Sequence, residues 1–188
     1  MKMMKGIRRI FVLFLIIPCL AGCGKWRDAA FVTDVELEIF PDYKGVTVPC
    51  NIAPLNFMIE DADHIQARFL SGTEEVFRIV GKDGVISVPQ KKWHELMAAS
   101  KGGTLGVEVS VWSDEWPAGV TFSPFSIFVA EDEIDGWVAY RLIEPGYVGW
   151  RHLGIYQREL SSFEETAIVT NKEENGTCLN CHNFPAYS

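Results

Sequence analysis

From Phe31 onwards the chain alternates apolar and polar residues with a period of two, and no other feature constrains its fold as strongly. In "FVTDVELEIF" one face holds Phe31, Val35, Leu37 and Ile39 while the other holds Asp34, Glu36 and Glu38, as a half-buried strand requires. The runs "HIQARFL", "EVFRIVG", "GVISV", "TLGVEVSVW", "FSIFVA" and "WVAYRL" also read as strands, parted by turn signals such as "SGTE", "GKDG", "SKGG" and "EDEIDG". Only "PQKKWHELMAAS" breaks the pattern. There Trp93, Leu96 and Met97 fall at i, i+3 and i+4, with Pro89 near the start and "KGG" beyond the end, which predicts one short helix spanning the strands. The proline-bearing stretch "PDYKGVTVPCNIAPLNF" reads as an edge or crossover connection. The expected fold is all-β, an antiparallel immunoglobulin-like or fibronectin-like β-sandwich over residues 31–145 with one short helix, followed by an irregular C-terminal segment over 146–188.

The 188 residues suffice for one domain with a real core, and 48% apolar against 22% charged residues is an ordinary globular balance. Residues 1–22 belong to an address instead. The opening "MKMMKGIRRIFVLFLIIPCLAGC" has a positive start, an apolar run from Ile10 to Ile17, then Pro18 and small residues, which is the layout of a secretory signal and too short for a comfortable membrane span. Its last residues, Leu20, Ala21, Gly22 and Cys23, resemble the lipobox of bacterial lipoproteins. The resemblance implies cleavage before Cys23, a diacylglycerol on its sulfur, and a body hung from a membrane in the cell envelope by acyl chains. The alternative is an ordinary signal peptide in which Cys23 is incidental. Residues 23–30 would form the linker after the lipidated cysteine. They carry no Asp directly after Cys23, which points to outer-membrane sorting, with the body facing the periplasm or the surface.

Removing Lys2, Lys5, Arg8 and Arg9 from the 17 basic residues leaves 13 against 25 acidic ones, a net charge of -12 for the rest of the chain. Such a body repels phosphate backbones, so nucleic acid is not expected as a partner. Gly-rich phosphate loops, G-x-S-x-G and H-E-x-x-H are all absent, and no acidic pair has a catalytic spacing, so no catalytic residue is assigned.

Chemistry concentrates near the C-terminus, in "TCLNCHNFPAYS", where Cys178, Cys181 and His182 form C-x-x-C-H. Covalent haem attachment needs two thiols spaced to reach the two vinyl groups of one porphyrin edge and an imidazole that turns beneath the iron, and this spacing supplies both. Export outside the cytoplasm, where c-type haem is attached, agrees with the lipobox. Three other readings stay open: a small disulfide between Cys178 and Cys181 with His182 incidental, a zinc site completed by His152 or Cys50, and chance. No Met, His or Lys follows His182, so a sixth iron ligand has to come from upstream, with His152 nearest in sequence and Met58, Met97, His64 and His94 more remote. Cys50, alone between Pro49 and Asn51, reads as a small buried hydrophobe.

The stretch "EPGYVGWRHLGIYQRELSSFEETAIVTNKEENGTCLNCHNFPAYS", with "PDYKGVTVPCNIAPLNFMIE" nearer the front, resembles a family of Gram-negative envelope lipoproteins described as TolB-like or cytochrome c biosynthesis-related. The resemblance covers most of the chain after the signal. It implies an amino-terminal β-sandwich leading to the C-x-x-C-H segment and then to a propeller of WD-type repeats. This sequence ends at Ser188, where that propeller would begin, so it reads as a truncated gene, a split reading frame or a naturally short member, with the propeller's function absent or supplied by another chain; a propeller or redox protein is the partner this implies. A second functional reading is a non-enzymatic binding module that docks a glycan or a partner protein, with the C-x-x-C as a disulfide. Its stacking platform would be Trp112 and Trp116, with Trp137 and Trp150, although a buried Trp is the commoner state in a sandwich.

Overall fold

The computed structural model describes residues 26–143 and 153–172. In chain order their elements are β1 (Phe31–Thr33), β2 (Thr47–Val48), β3 (Phe57–Met58), β4 (His64–Ser71), β5 (Glu74–Lys82), β6 (Val85–Ile86), α1 (Gln90–Ser100), β7 (Thr104–Trp112), β8 (Val120–Phe122), β9 (Phe125–Val129), β10 (Trp137–Leu142), β11 (Gly154–Glu159) and β12 (Glu165–Thr170). The architecture is all-β and sandwich-like, built on a large curled sheet with a second, three-stranded one.

The large sheet grows from β4, which pairs antiparallel with β5 on one side and β7 on the other. Period-two alternation sends Ile65, Ala67 and Phe69 of β4 to the inner face, in register with Val111, Val109 and Val107 of β7. All six are buried, and they form one core with Trp93, Leu96 and Met97 of α1. Each large apolar side chain so buried stabilises the fold by roughly 1.5–3 kcal/mol. Helix α1 starts after Pro89 and gives way to Gly102 at φ +71°, a backbone state that Gly adopts without steric penalty.

At the far edge of β7 the expected antiparallel order changes. Strands β8 and β9 follow one another along the same edge, parted at Ser123 and Pro124, where proline offers no ladder donor. Two short strands, β1 and β2, then pair with β8 and β9 in parallel. The long first strand expected from "FVTDVELEIF" is correspondingly cut to Phe31–Thr33. The Thr33 hydroxyl accepts from the Val35 amide at 3.2 Å and turns the chain off the sheet. Leu37 and Ile39 enter the core as expected, whereas Phe31 and Val35 stay exposed.

The C-terminal region is not irregular over 153–172. Strands β11 and β12 extend β10 into an antiparallel sheet, so the pairing joins residues on both sides of position 145. The tip between β11 and β12 ties this sheet to the large one. Leu160 donates its amide to Gly136 and accepts from Ala53 at 2.7 Å, while the Ser161 carbonyl meets Gln90 and His94 of α1 at 3.3 and 3.0 Å.

Residues 26–30, expected as part of a linker, lie bound across the outer face of the large sheet. Gln66 of β4 points outward yet is only 1% exposed, because its side chain both accepts from the Arg27 amide and donates to the Arg27 carbonyl, each at 2.7 Å. The Ala30 and Phe31 amides continue the attachment to the Ala118 and Gly119 carbonyls. At the other end the Arg78 guanidinium of β5 sits over the Trp26 ring, 4.8 Å from its centroid.

Candidate functional site

Cys178, Cys181 and His182 lie outside the described residues, as do Cys23, His152 and Trp150. The structure does place the point from which the C-x-x-C-H segment departs. Strand β12 ends at Thr170, and Asn171, 1% exposed, donates its amide to the Leu153 carbonyl at 2.9 Å. Asn171 is therefore fixed at the end of the three-stranded sheet. The seven residues of chain from there to Cys178 reach at most about 25 Å.

The described upstream donors differ sharply in availability. Met97 is fully enclosed in the core and its sulfur has no path to an iron. His94 lies exposed on α1, its Nε2 at 3.0 Å from the Ser161 carbonyl, and Met58 is 39% exposed on β3. Cys50 is a half-buried free thiol, with its Sγ 3.7 Å from the Asp132 carbonyl and 3.9 Å from that of Glu131. Among the described residues no three His, Cys, Asp or Glu side chains gather closely enough to hold a metal ion, so any zinc reading would have to draw on residues beyond them.

Of the two described histidines, His64 and His94, His64 is the enclosed one. Its ring meets Trp112 edge-on at 5.1 Å between centroids, and its Nε2 is buried without a hydrogen-bond partner. Burial first, and the nearby Arg27 cation second, hold its imidazole below the ordinary value of 6.5. The unfolded chain thus takes up the His64 proton at a higher pH than the folded one. Stability associated with this residue is complete above the unfolded value of 6.5 and declines as pH falls through the lower folded value. His64→Gln is expected to flatten that part of the curve, as urea midpoints measured across the acid range will report; an unchanged slope would remove His64 as its source.

Trp112 does not serve as a stacking platform. It is 6% exposed, enclosed by His64 and the backbone at Gly119, while Trp116 is half-buried against Phe31 with ring centroids 6.0 Å apart. Of the aromatic residues considered for sugar stacking, Trp137 on β10 presents an open ring.

The segments "IEDAD", "KDG" and "SDEW" converge on an open cleft of about 980 Å³, with Glu60, Asp61, Asp63, Asp83, Asp114 and Glu115 on its rim and Leu37, Val111 and Phe122 among its apolar lining. The acid-rich runs were visible individually, but nothing local indicates that the β3–β4, β5–β6 and β7–β8 connections meet at one end of the sheet.

Comparison with known protein families, with curated proteins and with solved structures finds no match for this chain. Among the described residues no helix is long and apolar enough to cross a membrane.

Proposed function

We propose that the chain is a lipid-anchored protein of the Gram-negative envelope, held to the outer membrane through Cys23, that carries a c-type haem at its C-terminal segment and works as an electron-transfer or haem-bearing subunit of the TolB-like, cytochrome c biosynthesis-related kind. The observation that carries this reading is the C-x-x-C-H run at Cys178, Cys181 and His182 in a chain whose amino terminus bears an export signal and lipobox. Cys178 and Cys181 supply the thioether sulfurs and His182 the proximal imidazole. The bound group supplies one-electron chemistry at iron. The donor set fits that group: two thiols at the spacing of the vinyls and a neutral nitrogen next to them.

The test is expression of the full chain in cells that carry the haem-attachment machinery, followed by denaturation and a pyridine haemochrome spectrum or peroxidase staining of the gel band. Covalent haem is expected on the chain and is expected to vanish in the Cys178→Ser, Cys181→Ser double variant. Absence of haem from the chain, in cells where a control cytochrome is matured, would sink the proposal. Alkylation of Cys178 and Cys181 only after reduction would then identify the pair as a disulfide.

A further inference from the structure

The outer face of the β4–β5–β7 sheet carries the bound segment 26–30. We infer that this segment holds the face against the lipid headgroups, so that the protein is seated on the bilayer in one orientation instead of swinging from a tether. The inference rests on the proposed acylation of Cys23 and deepens it by naming the surface involved.

Only Gly24 and Lys25 separate Cys23 from Trp26, and the three residue steps span at most about 11 Å. Trp26 is itself on the sheet beneath the Arg78 guanidinium, and Arg27 is fastened by both polar ends of the buried Gln66 side chain. A flexible linker would have carried the body away from the surface, whereas this attachment leaves no slack. The bound segment runs from the β8 side, at Ala30, across Gln66 to β5, at Arg78, and so its upstream end leaves the sheet over β5.

The surface presented there suits zwitterionic headgroups, which offer both an ammonium and a phosphate. Around this exit the cations Arg27, Arg68, Arg78 and Lys82 stand among Asp28, Glu75, Glu108 and Asp83, so the face is of mixed charge on an otherwise acidic protein. Glu75 and Glu108 pair with Arg68 at 2.8 and 2.7 Å, and Glu75 also meets Arg78 at 2.5 Å, so the acidic groups at the centre of the face are engaged by arginines. Lys82, directly opposite His64 on the outward face, has a side chain 88% exposed and only a 3.9 Å contact with the equally open Asp83. A cationic side chain near a negatively charged membrane surface is drawn toward it. Helix α1 lies on the other side of the core, since it buries Trp93, Leu96 and Met97 among the inward residues of β4. Its exposed Lys91 therefore faces away from the sheet's outer surface.

Lysine acylation read by mass spectrometry tests the orientation on the full-length lipidated chain. The protein is reconstituted in vesicles of phosphatidylethanolamine with a minority of phosphatidylglycerol, recovered by flotation, and treated with an amine-reactive acetylating reagent. Lys82 is expected to react severalfold more slowly relative to Lys91 than it does in a variant with about twelve Gly and Ser residues inserted between Gly24 and Lys25, a coil of roughly 20 Å. The insertion lies ahead of Trp26 and leaves the folded contacts in place. Equal Lys82 to Lys91 ratios in the two proteins would overturn the orientation while the flotation and the acyl mass on the Cys23 peptide still support the anchor. A chain that neither floats nor carries acyl chains would overturn both, and the haem assay would stand apart from either result.

Discussion

Replacing Trp93 by Ala is expected to destabilise the fold by about 3–5 kcal/mol, lowering the thermal midpoint by roughly 10 °C or more. Among the described residues Trp93 is the largest of the fully buried side chains, and it sits where α1 meets the inner face of the sheet. Its removal opens a cavity that sheet strands, fixed by their ladders, cannot close. It also deprives the Ile52 carbonyl of the indole N–H that it accepts at 2.9 Å. Trp93→Phe separates the two effects: it keeps most of the volume and loses the hydrogen bond, with an expected loss of about 1–3 kcal/mol. Urea unfolding followed by far-ultraviolet circular dichroism is the measurement. A loss below 1 kcal/mol for the alanine variant would mean that α1 is not a keystone of the core. Because α1 also holds the tip of the three-stranded sheet through Gln90 and His94, loosening it should raise hydrogen exchange at Leu160, whose amide is bonded to Gly136.

Gly119→Ala should cost about 2–5 kcal/mol, an effect out of proportion to one methyl group. Two causes add. The residue lies at φ +83°, where a Cβ is strained, and that Cβ would stand 2.4 Å from Cε2 and 2.5 Å from Nε1 of Trp112. The indole is 6% exposed and packed against His64, so it has little room to yield. The Gly119 carbonyl accepts the Phe31 amide, and displacing it should also weaken the parallel pairing of β1 with β8. Gly45→Ala is the control, because its φ is +67° with nothing within 4 Å of the added atom, leaving backbone strain alone. If the two variants lose equal stability in urea titrations, the clash with Trp112 does not matter. A perturbed near-ultraviolet spectrum in Gly119→Ala, absent from Gly45→Ala, is the accompanying signature.

The elements that the sequence made legible are those whose pattern is complete within a dozen residues. "TLGVEVSVW" and "WVAYRL" coincide with β7 and β10, and "PQKKWHELMAAS" contains α1 with Trp93, Leu96 and Met97 inward as its spacing predicts. In β7 and α1 the period decides which side chains turn inward, whereas every residue of β10 stays at least partly exposed. Strand β8 is three residues long and has no such period, and β11 and β12 mix charged and apolar residues because the small sheet buries little on either face. The start of the chain shows the limit in one segment: Leu37 and Ile39 follow the alternation into the core, while Phe31 and Val35, on the same predicted face, remain outside once Thr33 turns the chain. The haem reading belongs wholly to the sequence, since Cys178, Cys181 and His182 lie outside the described residues.

Local order therefore came from the sequence alone: the all-β class, the helix in the strand body, and the spacing of thiols and imidazole at Cys178, Cys181 and His182. These depend on neighbours along the chain, where covalent geometry sets both periodicity and distance. Tertiary structure decided what depends on distant residues meeting. It bound Arg27 to Gln66, 39 positions away, and so turned an expected linker into part of the sheet's surface. It brought the acidic turns together around one cleft and enclosed Trp112 beneath Gly119. Such pairings are selected by how whole faces pack and by which buried polar groups find partners, and no window of local sequence contains that information.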